Sequence, residues 1–403
     1  MRISERAKKT QPSPIRKLVP RADAAKEAGV TVYHLNIGQP DIPSPPAALD
    51  AIRKWDGRVL AYGHSEGQRF YRETLVKYYR SLGLDVNLED IFVTTAGSEA
   101  IVFAMASVAD PGDEIIVFEP FYTNYNGFAS MVSVKLIPIT LSVENGFHLP
   151  ARKAIESLIT EKTRAILYCS PNNPTGTVYT RDEVAMLAGI AAERDLFLMG
   201  DEVYREFIYD EGVAHTSVLS IPEIRDRAIM LDSVSKRFSM CGARMGNIVT
   251  KNREVWASCM KFGQARLSPP QLEQVAADAA YGLPPEEYIK PMIDEYRKRR
   301  DTVYEALTRM PGVKTFLPEG AFYTVAKLPV DDADAFAAWL LSDFWKAEGM
   351  KETVMLAPAS GFYATPGAGK SEVRIAYVLE CGALRRAMEL LARALEIYPG
   401  RKG

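Results

Sequence analysis

Short runs of almost unbroken apolar residues, at 91–94, 114–118, 134–139, 165–169, 196–199, 228–231 and 247–249, constrain this chain more than any other feature of it. A strand that is apolar on both faces must be covered on both faces, which is the condition of a mostly parallel sheet between layers of helices. Helix-period segments such as 98–109 and 181–194 lie between the runs, as the crossovers of such a sheet require. The expected class is α/β, a mostly parallel seven-stranded sheet sandwiched by helices.

Beyond Pro284 and Pro285 the pattern changes. A long charged amphipathic segment, 286–310, reads as one helix crossing to a new unit. The remainder carries strand patterns at 321–326, 353–356 and 372–378 and helical patterns at 331–345 and 383–397, a smaller α+β unit. The proline-rich stretch 39–46 reads as a hinge. The expected division is a large domain over 47–283, a connecting helix and small domain over 284–403, and an N-terminal arm over 1–46. A chain of 403 residues has room for this pair of domains.

Charge and cysteine content narrow the partners. Lys and Arg number 49 against 51 Asp and Glu, so no bulk positive field calls for nucleic acid or an anionic membrane. The basic bias of the first thirty residues reads as a solvated helix face. No apolar segment of the secretory kind follows it, and the longest apolar stretch, 100–109, is about half a membrane span. The 4 cysteines lack C-x-x-C spacing and the 4 histidines are scattered, so no metal is expected. Free thiols in a reducing cytoplasm are the simplest reading.

In an open parallel sheet, ligands bind beyond the carboxyl ends of the strands. The residues there are Gly97 and Ser98, then Tyr122, Asn173, Asp201 with Tyr204, and Ser233 with Lys236; Arg244 follows eight positions after the lysine. Taken singly, each has a plainer reading. Gly97-Ser98 suits any helix start, Tyr122 a packed aromatic, Asp201 a structural ion pair, and Lys236 a phosphate-binding or solvated lysine. Taken together they offer an amine able to form a Schiff base, a carboxylate, phenols, an amide, and hydroxyls with a guanidinium suited to phosphate.

With that set in order, the chain resembles the class I and II aminotransferases of the fold-type-I pyridoxal-phosphate superfamily, of the aspartate and alanine aminotransferase kind. The resemblance runs nearly end to end, from 35–41 to 373–377. It rests on the combination of Asn173-Pro-Thr-Gly176, Asp201-x-x-Tyr204, Ser233-x-x-Lys236 and Gly242-x-Arg244-x-Gly246. It implies pyridoxal 5'-phosphate as cofactor, with Lys236 carrying it as the internal aldimine and then moving the substrate proton. Asp201 is implied at the pyridine nitrogen, Tyr204 and Asn173 at the phenolic oxygen, and Tyr122 on the ring face. Gly97, Ser98, Ser233 and Arg244 are implied around the phosphate. Arg374 is implied at the substrate α-carboxylate, with Gly38 and Asn173 beside it. Tyr62 is implied to reach the partner subunit's phosphate, which makes the expected state a homodimer with shared sites. The basic N-terminal residues then belong to an arm and a helix of the small domain.

The implied activity moves an amino group from an aspartate- or alanine-like L-amino acid to a 2-oxo acid such as 2-oxoglutarate, by a ping-pong mechanism. A β-lyase (C–S lyase) or synthase of the same fold needs the same Lys236, Asp201 and Arg374 and is the alternative. A cofactor-bearing transcription regulator needs an added DNA-binding domain, for which the residues before Pro40 leave no room. Arg266, in 264–270, has the chemistry to bind a distal substrate carboxylate, or equally to serve a structural role. The near-P-loop at 364–371 lacks its first glycine and runs into a strand pattern, so nucleotide binding is not expected.

Overall fold

Each of the seven apolar runs forms a strand of one sheet in the computed structural model, which describes residues 1–10 and 16–402. The first strand of the chain, β1 (Thr31–His34), stands apart from that sheet. The seven are β2 (Ile91–Thr95), β3 (Glu114–Glu119), β4 (Lys135–Thr140), β5 (Thr163–Cys169), β6 (Phe197–Asp201), β7 (Ala228–Ser233) and β8 (Met245–Thr250). Their order across the sheet is β2-β8-β7-β6-β5-β3-β4. β8 is antiparallel to β2 and β7, and the remaining neighbours are parallel. The carboxyl ends of β2, β3, β5, β6 and β7 therefore share one edge of the sheet.

Burial follows the apolar pattern. β7 and β8 are buried along their whole length, whereas β4 is only half-buried because it forms the sheet edge. An edge strand also tolerates Pro138, whose missing N–H a central strand could not spare. The helix Arg181–Glu193 starts where its capping box dictates: Thr180 Oγ1 accepts from the Glu183 N–H, and Glu183 returns the bond by accepting from the Thr180 N–H at 2.8 Å.

The C-terminal part adds β9 (Tyr323–Lys327), β10 (Glu352–Met355), β11 (Ala357–Pro358) and β12 (Glu372–Ala376). The order β11-β12-β9 makes an antiparallel sheet, and β10 pairs in parallel with β1. Helices Ile289–Thr308 and Cys381–Ile397 pack on each other with Val303, Leu307, Leu384 and Leu391 buried. The segment expected to be helical over 331–345 is so: the helix Ala333–Trp339 widens into a π turn, Leu340–Phe344, where Ser342 Oγ competes for the Ala338 carbonyl at 3.0 Å. Near the N-terminus, Leu18 and Ala22 pack against Ala337, Leu341 and Met355.

One apolar cluster joins the two parts of the molecule. Leu35, Cys169, Tyr204 and Phe207 belong to the same buried cluster as Phe322, Tyr323 and Ile375. The carboxyl edge of the large sheet is thereby held against β9 and β12. The residues at 364–371 lead into β12 and not into a helix, so no helix N-terminus faces that near-P-loop.

Candidate active site

Helix Ala96–Val108 opens directly from β2, and its first turn is shaped by close backbone packing. Ala96 takes a left-handed conformation, φ +64°, and its N–H donates to the Arg244 carbonyl at 2.9 Å. A Cβ at position 246 would overlap the Ala96 backbone, so only glycine lets β8 pass beneath. Gly97 and Ser98 follow in that first turn, where N–H groups lack intrahelical partners and favour an anion. Gly97 stands over Ser233, whose Cβ would lie 3.7 Å from a Cβ on Gly97. Ser233 Oγ is 2.8 Å from Ser235 Oγ and donates to Met245 O at 2.7 Å. Arg244, at φ +52°, is exposed and donates to Cys241 O at 3.0 Å. Gly97 and Ser233 thus stand together at the start of this helix, and the Arg244 backbone is tied to it through Ala96.

Lys236 lies on the short helix Val234–Arg237, which Ser233 caps by accepting from the Ser235 N–H. Its Nζ donates to Gly38 O at 2.8 Å and lies 3.7 Å from Cys241 Sγ. No side chain larger than glycine fits at 38, because a Cβ there would overlap the Tyr323 hydroxyl. Tyr323 also sits 2.9 Å from the Tyr204 hydroxyl, linking β9 to the residue three positions after Asp201.

Asp201 ends β6 and is buried. Tyr125 donates to its Oδ2 at 2.6 Å and the Val203 N–H reaches Oδ1 at 3.4 Å. Burial pushes its carboxyl up to about 6, against the smaller opposing pull of those two donors. A carboxylate so placed calls for a cationic partner. Tyr122 is close enough to both centres that the Lys236 charge opposes, and Asp201 adds to, the upward shift that burial imposes on its phenol.

Arg374 on β12 is 2% exposed. It donates from Nη1 to Asn173 Oδ1 at 3.1 Å and from Nη2 to Asn36 O at 2.6 Å, while Nε has no partner. Its Cζ stands 4.6 Å from the Tyr323 ring centre and 4.9 Å from that of Phe362. Burial lowers its pKa, the cost of a guanidinium whose hydrogen-bond partners are neutral. Asn173 is free to meet it because Asn172 takes the turn: Asn172 Oδ1 accepts from Thr175 N and Oγ1 at 3.1 and 3.0 Å.

Behind these groups runs a buried charged network. Arg205 donates to Glu202 Oε2 at 2.8 Å and to Asp232 Oδ2 at 2.9 Å, and Arg237 meets the same Asp232 oxygen at 3.1 Å. Burial alone would raise the Asp232 carboxyl, yet Arg237 and Arg205 outweigh it and hold the group below its ordinary value. Asp232 Oδ1 in turn accepts the Ser233 N–H at 2.7 Å, so the network braces the segment carrying Lys236.

Gly38, Asn173, Tyr204, Lys236 and Arg374 converge through these contacts, with Asp201 and Tyr122 alongside, while Gly97, Ser98, Ser233 and Arg244 lie at or next to the start of the helix Ala96–Val108. Tyr62 is not brought in: it is 82% exposed on this chain. Of the two roles open to Arg266, its contacts fit the structural one: Nη2 donates to the Ser65 and Val93 carbonyls and Nε lies 3.4 Å from Glu99. Sequence reading missed Tyr323, Tyr125, Asn36 and Phe362. Only Tyr125 had a local signal, lying three positions after Tyr122 at the same strand end. Among the described residues no cluster of His, Cys, Asp and Glu is arranged to hold a metal ion, and no helix is long and apolar enough to cross a membrane.

Comparison with known proteins bears on the same site. Residues 30–391 match the model of the family "Aminotransferase class I and II". An aspartate aminotransferase of Pyrococcus horikoshii is 30% identical over 98% of this chain and 97% of its own. The crystal structure of an aspartate aminotransferase from Thermotoga maritima superposes with a TM-score of 0.88 at 29% identity, covering 98% of this chain and all of the other. An alanine aminotransferase from Pyrococcus furiosus gives 0.87 at 29% identity over 97% and 99% of the two chains.

Proposed function

The chain belongs to the class I and II aminotransferase family and is a pyridoxal-phosphate-dependent transaminase, and from that premise we propose that it moves the amino group of an aspartate- or alanine-like L-amino acid to a 2-oxo acid such as 2-oxoglutarate in two half-reactions. The observation that carries the amino-acid and 2-oxo-acid reading, through the α-carboxylate both share, is Arg374. A buried guanidinium with an unpartnered Nε and only neutral acceptors is a receptor for a carboxylate, and its flanking rings fix the plane in which a bidentate pair forms.

The cofactor fits the remaining groups. Its ring nitrogen, when protonated, supplies the cation that the enclosed Asp201 carboxyl lacks, and the cradle of Gly97, Ser98, Ser233 and Arg244 matches its phosphate. When bound, pyridoxal 5'-phosphate withdraws electrons from the amino-acid Cα and makes its proton removable. Lys236 takes that proton and returns it, with the Gly38 carbonyl at 2.8 Å ready to hold the ammonium form between the two events. Tyr204 and Asn173 would hold the cofactor's phenolic oxygen, and Tyr122 would cover the ring face. Asn173 also orients Arg374, and Gly38 closes the substrate side.

Tyr62 completes the phosphate site of a partner subunit in this reading. Its exposure supports that, as does the company of Val59, Leu60 and Leu267, which are likewise exposed and apolar on the single chain. The test is a screen of aspartate, alanine, glutamate and aromatic donors against 2-oxo acids. Glutamate formed from 2-oxoglutarate in step with loss of the donor is the expected result. Ammonia and pyruvate without glutamate would overturn it in favour of elimination.

A further inference from the structure

Arg266 ends the helix Arg253–Arg266 and draws together parts of the chain far apart in sequence. Its Nη2 donates to Val93 O in β2 at 3.2 Å and to Ser65 O, in the loop that carries Tyr62, at 3.3 Å. Its Nε lies 3.4 Å from Glu99 Oε1, and the other Glu99 oxygen accepts the Thr95 N–H at 2.7 Å, immediately before the cradle's helix. Ser65 Oγ closes the circuit by donating to Leu267 O at 2.6 Å. Left-handed backbone conformations flank this joint, at Ala96 (φ +64°) and Leu267 (φ +82°), and non-glycine residues keep such angles only where surrounding contacts over-determine them.

Charge makes the joint more than a brace. Glu99 sits in the first turn of the helix whose opening N–H groups face the cradle. A bare carboxylate there would work against an incoming phosphate, and Arg266 is the cation that meets it. We propose that Arg266 is a positioning residue for the cofactor phosphate, holding the helix start in place and cancelling the Glu99 charge beside it. The proposal rests on the reading that Gly97, Ser98, Ser233 and Arg244 hold that phosphate.

The experiment titrates the full chain, stripped of cofactor, with pyridoxal 5'-phosphate and with pyridoxal, which lacks the phosphate. Arg266→Gln should raise the dissociation constant for pyridoxal 5'-phosphate about tenfold and leave that for pyridoxal nearly unchanged. Adding Glu99→Gln to that variant should recover part of the loss. Arg266→Lys, which keeps the charge, should lose no more than about threefold, and guards against a simple folding defect in the first variant. Equal losses for both ligands, no recovery in the double variant, or a loss in Arg266→Lys as large as in Arg266→Gln would each overturn the proposal. A wild-type protein that binds both ligands equally would overturn the phosphate cradle itself, and the proposal with it.

Discussion

The Tyr125 hydroxyl donates to Asp201 Oδ2 at 2.6 Å, so a phenol from one helix steers the carboxylate at the end of β6. That bond does not offset burial: the folded chain pushes the Asp201 carboxyl up to about 6 from its ordinary 3.8. The fold then holds a proton that the unfolded chain has released, so the cofactor-free protein loses stability as pH rises through that interval. The expected loss is about 3 kcal/mol between its two limits. Urea unfolding of the wild-type protein and of Asp201→Asn across pH 4 to 7 should show this difference, which should vanish once bound cofactor supplies a cation. A pH-independent difference without cofactor would show the group to be solvated.

The Lys236 amine donates to the Gly38 carbonyl at 2.8 Å. Lys236→Ala should abolish the absorbance of bound cofactor in its lysine-linked form and lower kcat by roughly 10³-fold or more. Turnover near the wild-type value would remove Lys236 from the chemistry.

Arg374 presents a planar fork between the rings of Tyr323 and Phe362. Arg374→Lys keeps the charge but neither the fork nor the stacking, and should raise KM for donor and acceptor alike by about a hundredfold. Saturation kinetics on a monocarboxylic and a dicarboxylic donor check this, since both share the α-carboxylate. A change confined to the dicarboxylic donor would place Arg374 at the distal group instead.

Gly38→Ala sets a methyl against the Tyr323 hydroxyl. It should cost about 1–3 kcal/mol of stability and reduce activity at the same time. Adding Tyr323→Phe removes the hydroxyl and should recover part of the stability, which thermal unfolding of the single and double variants measures. Strict additivity would mean that the glycine is needed for its backbone angles and not for this contact.

Much of the fold was legible because its signals are local. The apolar runs that became β2 to β8 needed nothing beyond their own composition, and the helix Arg181–Glu193 announces its start in Thr180 and Glu183. Strand-end position then placed Asp201, Lys236, Asn173 and the Gly97-Ser98 turn at one edge, while Arg374 and Gly38 came only with the family resemblance. Tyr323 had no comparable signal. It lies in an apolar strand of the C-terminal part, and its importance arises from contacts with Tyr204, Gly38 and Arg374, each distant in the chain.

Arg266 shows the converse. Its residue type suits a carboxylate ligand, but whether its donors remain free depends on which carbonyls and acids the fold brings within about 3 Å. The sequence by itself determined the class of fold, the edge of the sheet where chemistry gathers, and the kinds of groups found there. Only the tertiary structure decided which of those groups are paired and which are left wanting a ligand. Arg374 keeps an unpartnered Nε among neutral acceptors and Asp201 a carboxyl raised by burial, whereas the Arg266 charge already faces Glu99 and its Nη2 is taken up by the Ser65 and Val93 carbonyls. The physical reason is that hydrogen bonding and desolvation act over a few ångströms in space, and separation along the chain does not predict that distance.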